Sequence, residues 1–366
     1  LPNSVKAIVI YKRVYLNGKF RQYSKLFPLC DMLGLNLTHP RFAIDHIDLG
    51  ELDDTTCRGD FIKFSNWGMR VVSCKAGPVL YDDNFASLWP KQPEHRPGRP
   101  NPEPLYLSPS FKNPTQVVLA LLDRFLCDVE EHSDIVKIIR NKSDIDLKME
   151  FTKVGILLGS NRSDWFGDSP GILRMFARLG LRMITLSVSG RDLGWDGHDI
   201  VKGSGGLNKL GLRLIQEMNA CGILIDLAHT NEQSSLDIIE NSNVPVVDTH
   251  SNPRTLEDHT RNTTDAVMKK LAACGGLLGI TPAIERPPAE KPYDTIPPSQ
   301  LDYVMKCIDY AVNIMGIDSV GIGTHFNTAC LPWVIDRILT EGYSDKDVYK
   351  ITGGNFLCVL NKVLPK

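Results

Sequence analysis

Two histidines stand at corresponding places in consecutive segments of the chain. The runs Ile223–Leu227 and Val244–Val247 are apolar and as long as a strand, and His229 and His250 follow them within three residues. The segment between the runs has helical period and is long enough for one crossover connection. Because parallel strands joined in this way end at the same edge of a sheet, we expect both imidazoles at one barrel mouth. Barrel enzymes hold a catalytic metal in this manner.

Three further residues have the same chemical character. In the run Phe42–Asp48, His46 and Asp48 are two residues apart, so on a strand both side chains point to the same side. His325 follows a later apolar run that ends in Gly321-Ile322-Gly323. Each residue alone is more often a capped strand end or a hydrogen-bonded core group. Together they predict a site for a divalent metal with the ligands His46, Asp48, His229, His250 and His325.

The elements that must position these residues alternate along the chain. Between most of the strand-like runs lie segments of helical period, such as Gly206–Ala220 and Leu301–Met315. The runs lack strict polar alternation, which suits strands that are buried on both faces. We therefore predict an α/β fold, a closed (β/α)₈ barrel of the TIM type. An open doubly wound sheet is less favoured, since no GxGxxG follows the first run. The eight runs are Phe42–Asp48, Met69–Cys74, Val154–Leu158, Arg182–Ser187, Gly222–Leu227, Val244–Asp248, Gly276–Ile280 and Ser319–Gly323.

Two segments fall outside this alternation. Residues 1–40 are predicted to form a β extension that packs on a barrel of residues 41–366. Residues from about 88 to 115 are dense in proline and form an insertion, either an ordered loop over the mouth or a mobile lid. The tail Trp333–Leu364 is predicted to be helical, with a break at Gly342 and Ser344 as an N-cap.

The composition excludes several classes of function. The 366 residues carry a formal net charge of −2, so no global field favours nucleic acid or an anionic membrane. No apolar run is long enough to span a bilayer, and the first residues lack the pattern of a signal peptide. Nine cysteines without a CxxC pair indicate reduced residues of a cytoplasmic protein. The sequence leaves a homodimer open.

A resemblance accounts for most of these features. From about Arg41 to about Leu360 the chain resembles the membrane (renal) dipeptidase family of the amidohydrolase superfamily. The resemblance implies a metal-dependent barrel that hydrolyses dipeptides and related amides at a two-zinc site. The motifs that carry it are AIDHIDL (43–49), GILRMFARLGLRMITL (171–186), GLNKLGLRLIQEMNACGILIDLAHT (206–230), VPVVDTHSNP (244–253), RNTTD (261–265), DSVGIGTHF (318–326) and LTEGYSDKDVYKITGGNFLCVL (339–360).

The resemblance also assigns roles to single residues. His46 and Asp48 match the ligands of the first strand, and His229 and His250 match two histidines of the second metal. Arg261 matches the arginine that binds the carboxylate of the substrate.

Three positions depart from the pattern of the family. Asn161 stands where the glutamate bridges both metals, although Asp164 or Asp168 would replace it if the loop is rebuilt. His325 stands in place of the eighth-strand aspartate, and Val188 in place of a substrate-binding histidine.

These departures leave three hypotheses. Because Asp48 is the one anionic group among the predicted ligands, two dications would leave about three uncompensated charges, and a single metal is easier to support. The first hypothesis is a hydrolase for a small carboxylate-bearing amide, with His325 as ligand or base and Asn161 at a catalytic position. It uses zinc by resemblance. The second is a non-hydrolytic metalloenzyme of the non-haem iron type, since the donor set is rich in nitrogen. The third is a catalytically silent binding protein.

Overall fold

The computed structural model describes residues 18–36, 58–76, 114–145, 153–188, 190–282, 298–325 and 328–366. The strands among them are β1 (Cys30–Asn36), β2 (Val71–Ala76), β3 (Val136–Ile138), β4 (Val154–Asn161), β5 (Met183–Thr185), β6 (Leu224–Asp226), β7 (Val247–Ser251), β8 (Leu277–Ile280) and β9 (Val320–Ile322). Residues 18–24 are helical. The further α-helices are α1 (Arg58–Trp67), α2 (Pro114–Glu131), α3 (Pro170–Leu179), α4 (Lys209–Cys221), α5 (Glu232–Asn241), α6 (Asp265–Ala273), α7 (Pro298–Met315), α8 (Leu331–Thr340), α9 (Asp345–Tyr349) and α10 (Asn355–Val363).

Eight parallel strands follow one another around the sheet. Their order is β1-β2-β4-β5-β6-β7-β8-β9, and the short β3 pairs with β4 outside this path. The last strand returns to the first, because the backbone N–H and the hydroxyl of Thr324 both donate to the carboxylate of Asp31, at 3.0 and 2.6 Å. Helices connect most of the strands. The result is a nearly closed (β/α)₈ barrel, which confirms the predicted fold.

The first strand lies earlier in the chain than the sequence pattern indicates. Cys30–Asn36 fills the first place of the barrel and pairs with β2, with Cys30 opposite Val71. The segment predicted as an N-terminal extension therefore contributes a strand to the barrel. The run predicted as the first strand, at 42–48, lies outside the described residues, together with His46 and Asp48.

Apolar side chains fill two layers. One cluster lies between the strands and the surrounding helices, and it includes Ile156, Ile184 and Ile225. A second cluster contains the alternate residues Leu157, Met183 and Leu224 together with side chains of α10. The strands are thus buried on both faces, as their unbroken apolar runs predict.

The helix signals of the sequence are observed. The side chain of Ser169 accepts a hydrogen bond at the start of α3, and Gly180 ends this helix in the left-handed region with φ of 107°. Ser344 caps α9, since its hydroxyl accepts from the N–H of Asp347 at 3.2 Å. The proline-rich insertion lies within residues 77–113, outside the described residues.

Two findings concern the chemistry of the chain as a whole. Eight cysteines fall in the described ranges, and all of them are free thiols. Among the same residues, no helix combines the length and the apolar character that a membrane span needs.

Candidate metal centre and substrate site

Three of the predicted ligands meet at the carboxyl edge of the barrel. His229 follows β6, His250 lies on β7 and His325 follows β9. The Nε2 atoms of His229 and His250 are 3.3 Å apart. The ring of His325 lies 5.0 Å from the ring of His250, nearly parallel to it. The strand ends therefore bring the three imidazoles into one group.

Unusual backbone conformations present two of these rings. His229 and His325 have positive φ angles, 67° and 53°, in the left-handed region that side chains with a Cβ rarely adopt. Each such residue costs about 1–3 kcal/mol unless the surrounding structure imposes it. Hydrogen bonds hold the His229 turn, because its carbonyl accepts from the N–H of His198 at 2.7 Å. Strain of this kind is concentrated at functional sites.

A glycine permits the segment that follows β9 to lie close to β7. A Cβ on Gly323 would lie 1.8 Å from the carbonyl oxygen of Thr249 and 3.4 Å from the Cβ of His250. No side chain fits at this position. The glycine two positions before His325 therefore allows the two histidine-bearing segments to lie close together.

A buried ion pair lies next to the histidines. Lys75 of β2 and Asp226 of β6 are fully buried, and the Lys75 Nζ lies 2.6 Å from Asp226 Oδ2. Burial lowers the pKa of the Lys75 ammonium. Burial alone would raise the pKa of Asp226, but the Lys75 ammonium and several hydrogen bonds hold that pKa below its usual range. Neither residue is predicted from the sequence pattern.

Arg261 contacts the histidine group from the loop that follows β7. Its Nη2 donates to the carbonyl oxygen of His250 at 2.7 Å. Its Nη1 is buried and has no hydrogen-bond partner among the described residues. The same holds for Oδ1 of Asp248 and Nδ1 of His229. Burial raises the pKa of Asp248 to about 6. Unpartnered buried polar atoms are costly, so they mark places where a ligand is expected.

The electrostatic surroundings keep the imidazoles neutral. Burial is the main cause that lowers the pKa of His229 and His250 well below the usual value, and the positive charge of Arg261 is the next cause. Burial lowers the pKa of His198 as well. Neutral imidazole is the form that can bind a metal, so the protonation state of these side chains is compatible with that role.

Two further histidines extend the group toward the surface. The ring of His198 lies 5.5 Å from the ring of His229 and 6.5 Å from the ring of His259. The His198 Nδ1 lies 3.2 Å from the Thr260 hydroxyl. Neither residue was predicted, because both lie away from the ends of the strand-like runs. The signal was available, since His198 lies in the loop between β5 and α4, on the catalytic side of a barrel.

The other predicted positions lie at the same edge without joining the histidine contacts. Asn161 is the last residue of β4 and is in register with Thr185 of β5. Val188 lies three residues beyond β5 and is partly exposed. Of the two carboxylates considered as replacements, Asp164 forms an ion pair with Arg162 at 2.9 Å and Asp168 is exposed.

The donor set fits one cation better than two. Two nitrogens bound to the same tetrahedral zinc are about 3.3–3.4 Å apart, which is the separation observed for His229 and His250. However, no group of three or more His, Cys, Asp or Glu within the described ranges could hold a metal ion. His46 and Asp48 lie outside those ranges. The described residues thus supply a pair of ligands, and nothing described bridges two cations.

A comparison with models of protein families shows to which family the chain belongs. The model of the membrane dipeptidase family (peptidase family M19) matches residues 85–364. The chain belongs to this family. The match begins after β2, so β1, His46, Asp48 and Lys75 precede the matched part of this dipeptidase family member.

Curated relatives include two fungal dipeptidases. Dipeptidase verJ of Clonostachys rogersoniana is 29% identical over 247 residues, which are 64% of this chain and 62% of that protein. Dipeptidase tcpJ of Claviceps purpurea is 28% identical over 257 residues, 66% of this chain and 58% of that protein. The chain thus spans about three fifths of the length of these relatives.

Solved structures show the same fold. The probable dipeptidase PvdM of Pseudomonas aeruginosa aligns with a TM-score of 0.72 at 20% identity, covering 95% of this chain and 98% of that one. A metallo peptidase of Rhodobacter sphaeroides, liganded with a phosphinate mimic of the dipeptide L-Ala-D-Ala, aligns with a TM-score of 0.70 at 20% identity. That alignment covers 92% of this chain and 99% of the other.

Proposed function

We propose that this dipeptidase family member hydrolyses an amide bond of a small, carboxylate-bearing metabolite, such as a dipeptide or an amino-acid derivative. The observation that carries the proposal is the position of Arg261. Its guanidinium bonds the backbone of His250 and keeps one buried nitrogen without a described partner. A guanidinium recognises carboxylates through paired hydrogen bonds, so Arg261 is suited to hold the carboxylate of a substrate beside the histidines.

The proposed hydrolysis requires a divalent cation at the histidine group. His229 and His250 are the ligands that the geometry supports, and His46, Asp48 and His325 are proposed as the others. We favour zinc, as in other proteins that bind it through imidazole. When bound, such an ion lowers the pKa of a water molecule and polarises the amide carbonyl.

The remaining residues would shape the reaction. His325 stacks on the ring of His250, so it is placed either to bind the cation or to accept a proton. Asn161 ends β4 at the same edge, and we assign it to the catalytic groups because its amide can donate a hydrogen bond to a carbonyl oxygen. Val188 contributes an apolar wall to the substrate pocket.

A second function is favoured by the chemistry of the donor set. The described strand ends offer His229, His250 and His325, while β4 ends in the neutral Asn161. Nitrogen-rich sites with at most one carboxylate also suit iron, which supports redox chemistry. The alternative is therefore a non-hydrolytic metalloenzyme on the same scaffold. A catalytically silent binding protein is disfavoured, because His229 and His325 are held in strained backbone conformations, which are concentrated at functional sites.

Elemental analysis and a dipeptide assay test the two functions. Protein purified without added metal should contain about one zinc per chain and should release amino acids from a panel of dipeptides. Iron without hydrolysis would replace the first function by the second. The absence of bound metal, of metal-stimulated hydrolysis and of redox activity would remove both.

A pair of arginine variants tests the role of Arg261. Arg261→Lys should lower kcat/KM at unchanged metal content, because an ammonium cannot reproduce the paired hydrogen bonds of a guanidinium. The matched control is Arg254→Lys, since the hydrogen bonds of the Arg254 side chain within the described residues go to backbone carbonyls of the same loop. Equal kinetics of Arg261→Lys and the parent would contradict the assignment.

A further inference from the structure

A chain of buried hydrogen bonds connects β2 to the ligand pair. The Lys75 ammonium donates to Asp226 Oδ2 at 2.6 Å and to the hydroxyl of Thr249 at 3.1 Å. The hydroxyl of Thr249 lies 2.7 Å from Asp226 Oδ2 and 2.8 Å from Nδ1 of His250. Lys75, Asp226 and Thr249 are all fully buried. Burial removes these groups from bulk solvent, so we assign their proton positions by counting the donors and acceptors among them.

The protonation state of Asp226 is the first to be assigned. Its Oδ2 accepts from Lys75, Thr249 and the Thr185 hydroxyl, the last at 2.6 Å. Its Oδ1 accepts from the backbone N–H groups of Ala228 and Thr249, at 3.0 and 2.9 Å. Five donors surround one carboxylate, and the Lys75 ammonium balances its charge. Asp226 is therefore ionised and acts only as an acceptor.

The hydroxyl of Thr249 has one proton and two lone pairs. Its proton goes to Asp226, because an ionised carboxylate cannot donate. One lone pair accepts from Lys75, because an ammonium has no lone pair of its own. Only the second lone pair remains for His250. The Nδ1 of His250 must therefore carry a proton and donate it to Thr249.

We propose that Lys75 is a positioning residue that acts through Asp226 and Thr249 to keep the proton of neutral His250 on Nδ1 and the lone pair on Nε2. That lone pair faces the Nε2 of His229, 3.3 Å away. Metal-binding histidines generally donate the other ring N–H to a neighbouring acceptor, which fixes tautomer and orientation. The inference rests on the proposed function only for the use of the lone pair, since the tautomer is a property of the metal-free protein.

Lys75 is needed because Asp226 is buried. Without the ammonium, a carboxylate in this position would take up a proton. A protonated Asp226 could donate to Thr249, and the hydroxyl could then turn its own proton toward Nδ1 of His250. The ring would change to the tautomer with the proton on Nε2, which blocks the nitrogen that faces His229.

Nitrogen NMR of metal-free protein labelled with ¹⁵N-histidine measures the tautomer directly, because protonated and unprotonated ring nitrogens have well separated chemical shifts. The parent should show His250 protonated on Nδ1 near neutral pH. Thr249→Val keeps the shape but removes the acceptor, so it should lose this preference. Thr249→Ser should restore it. The matched control is Thr185→Val, which removes another hydroxyl from Asp226 without touching His250.

Two variants test the part played by Lys75 itself. Lys75→Met should shift His250 toward the Nε2 tautomer. If that variant does not fold, the double variant Lys75→Met/Asp226→Asn removes both charges and should show the same shift, because an amide N–H can donate to Thr249. A parent with the proton on Nε2, or an unchanged tautomer in Thr249→Val or in the double variant, overturns the inference.

Zinc titration separates this inference from the proposed function. With zinc alone as the probe, Thr249→Val should bind about 10- to 100-fold more weakly than the parent, while Thr185→Val should bind nearly as well. A parent that has the Nδ1 proton but binds no metal would remove the proposed function and leave the tautomer assignment standing. A parent that binds zinc but carries the His250 proton on Nε2 before binding would remove the tautomer assignment and leave the proposed function standing.

Discussion

On the β6–β7 side of the barrel mouth, His229 and His250 bring two neutral nitrogens to 3.3 Å of one another. On the β2–β4 side, the corresponding strand ends carry Lys75 and Asn161. One side thus offers lone pairs to a cation, whereas the other offers an ammonium group and a neutral amide. The carboxylate of Asp226, at the end of β6, forms an ion pair with Lys75. The contrast supports the proposal of one cation rather than two, since the Lys75 ammonium already supplies a positive charge on the other side.

Removing Lys75 should break this arrangement with the largest effect on stability. Lys75→Met leaves the buried carboxylate of Asp226 without its counter-ion, and breaking a buried pair in this way costs about 3–5 kcal/mol. Urea unfolding followed by tryptophan fluorescence measures the loss. Lys75→Met/Asp226→Asn should recover most of it, because no unpaired charge remains. A single variant within about 1 kcal/mol of the parent would mean that the pair contributes no more than a surface salt bridge.

Replacing Gly323, in the segment that follows β9, should have the next largest effect. Gly323→Ala places a methyl group 1.8 Å from the Thr249 carbonyl oxygen, so the segment after β9 must move away from β7 at a cost of about 1–3 kcal/mol. Zinc affinity should fall together with the free energy of unfolding, because His250 moves with β7. The control is Gly205→Ala, where the added methyl meets nothing within 4 Å. Unchanged zinc binding in Gly323→Ala would show that the contact at Gly323 does not position His229 and His250.

A smaller, pH-dependent effect is expected from Asp192, in the loop after β5. Its pKa is raised to about 6, mainly by burial and to a smaller extent by Asp164 and Asp196, against the opposing effect of Arg162. Because the folded pKa lies above the unfolded value, this group favours folding at about pH 4, and that contribution is lost as the pH rises through about 6.

Asp192→Asn mimics the protonated form, so the difference between variant and parent isolates this group. The variant should be more stable than the parent by about 1–3 kcal/mol at pH 8 and nearly equal to it at pH 4. Urea unfolding at the two pH values measures the difference, with the exposed Asp258→Asn as control. An equal difference at both pH values would contradict the assignment.

Much of the barrel could be predicted from local patterns. Runs such as Val154–Leu158 and Gly276–Ile280 are apolar without alternation, and both coincide with strands buried on two faces. Helices α3 to α7 have bounds close to those of the predicted segments. Their apolar residues recur with helical period, and residues that commonly cap helices stand at their ends. His229, His250 and His325 could be placed at one edge for the same reason.

The first strand could not be chosen in this way. CDMLGLN and FAIDHID are both short runs of mixed apolar and acidic residues, and the second carries the more suggestive His-x-Asp spacing. The choice depends on pairing with β2 and on hydrogen bonds between Asp31 and Thr324, 293 residues apart. Such long-range contacts leave no trace in local periodicity.

The sequence by itself determined the alternation of strands and helices, the edge at which three histidines gather, and the likeness to dipeptidases. The tertiary structure alone decided which groups those histidines contact. Lys75 is one lysine in the strand VVSCKA until the barrel closes and places Asp226, 151 residues away, against its ammonium. His198 likewise becomes a neighbour of His229 only through the fold of its loop. Burial makes the difference, because an ionisable side chain acquires its partners, its proton and its role once water is excluded.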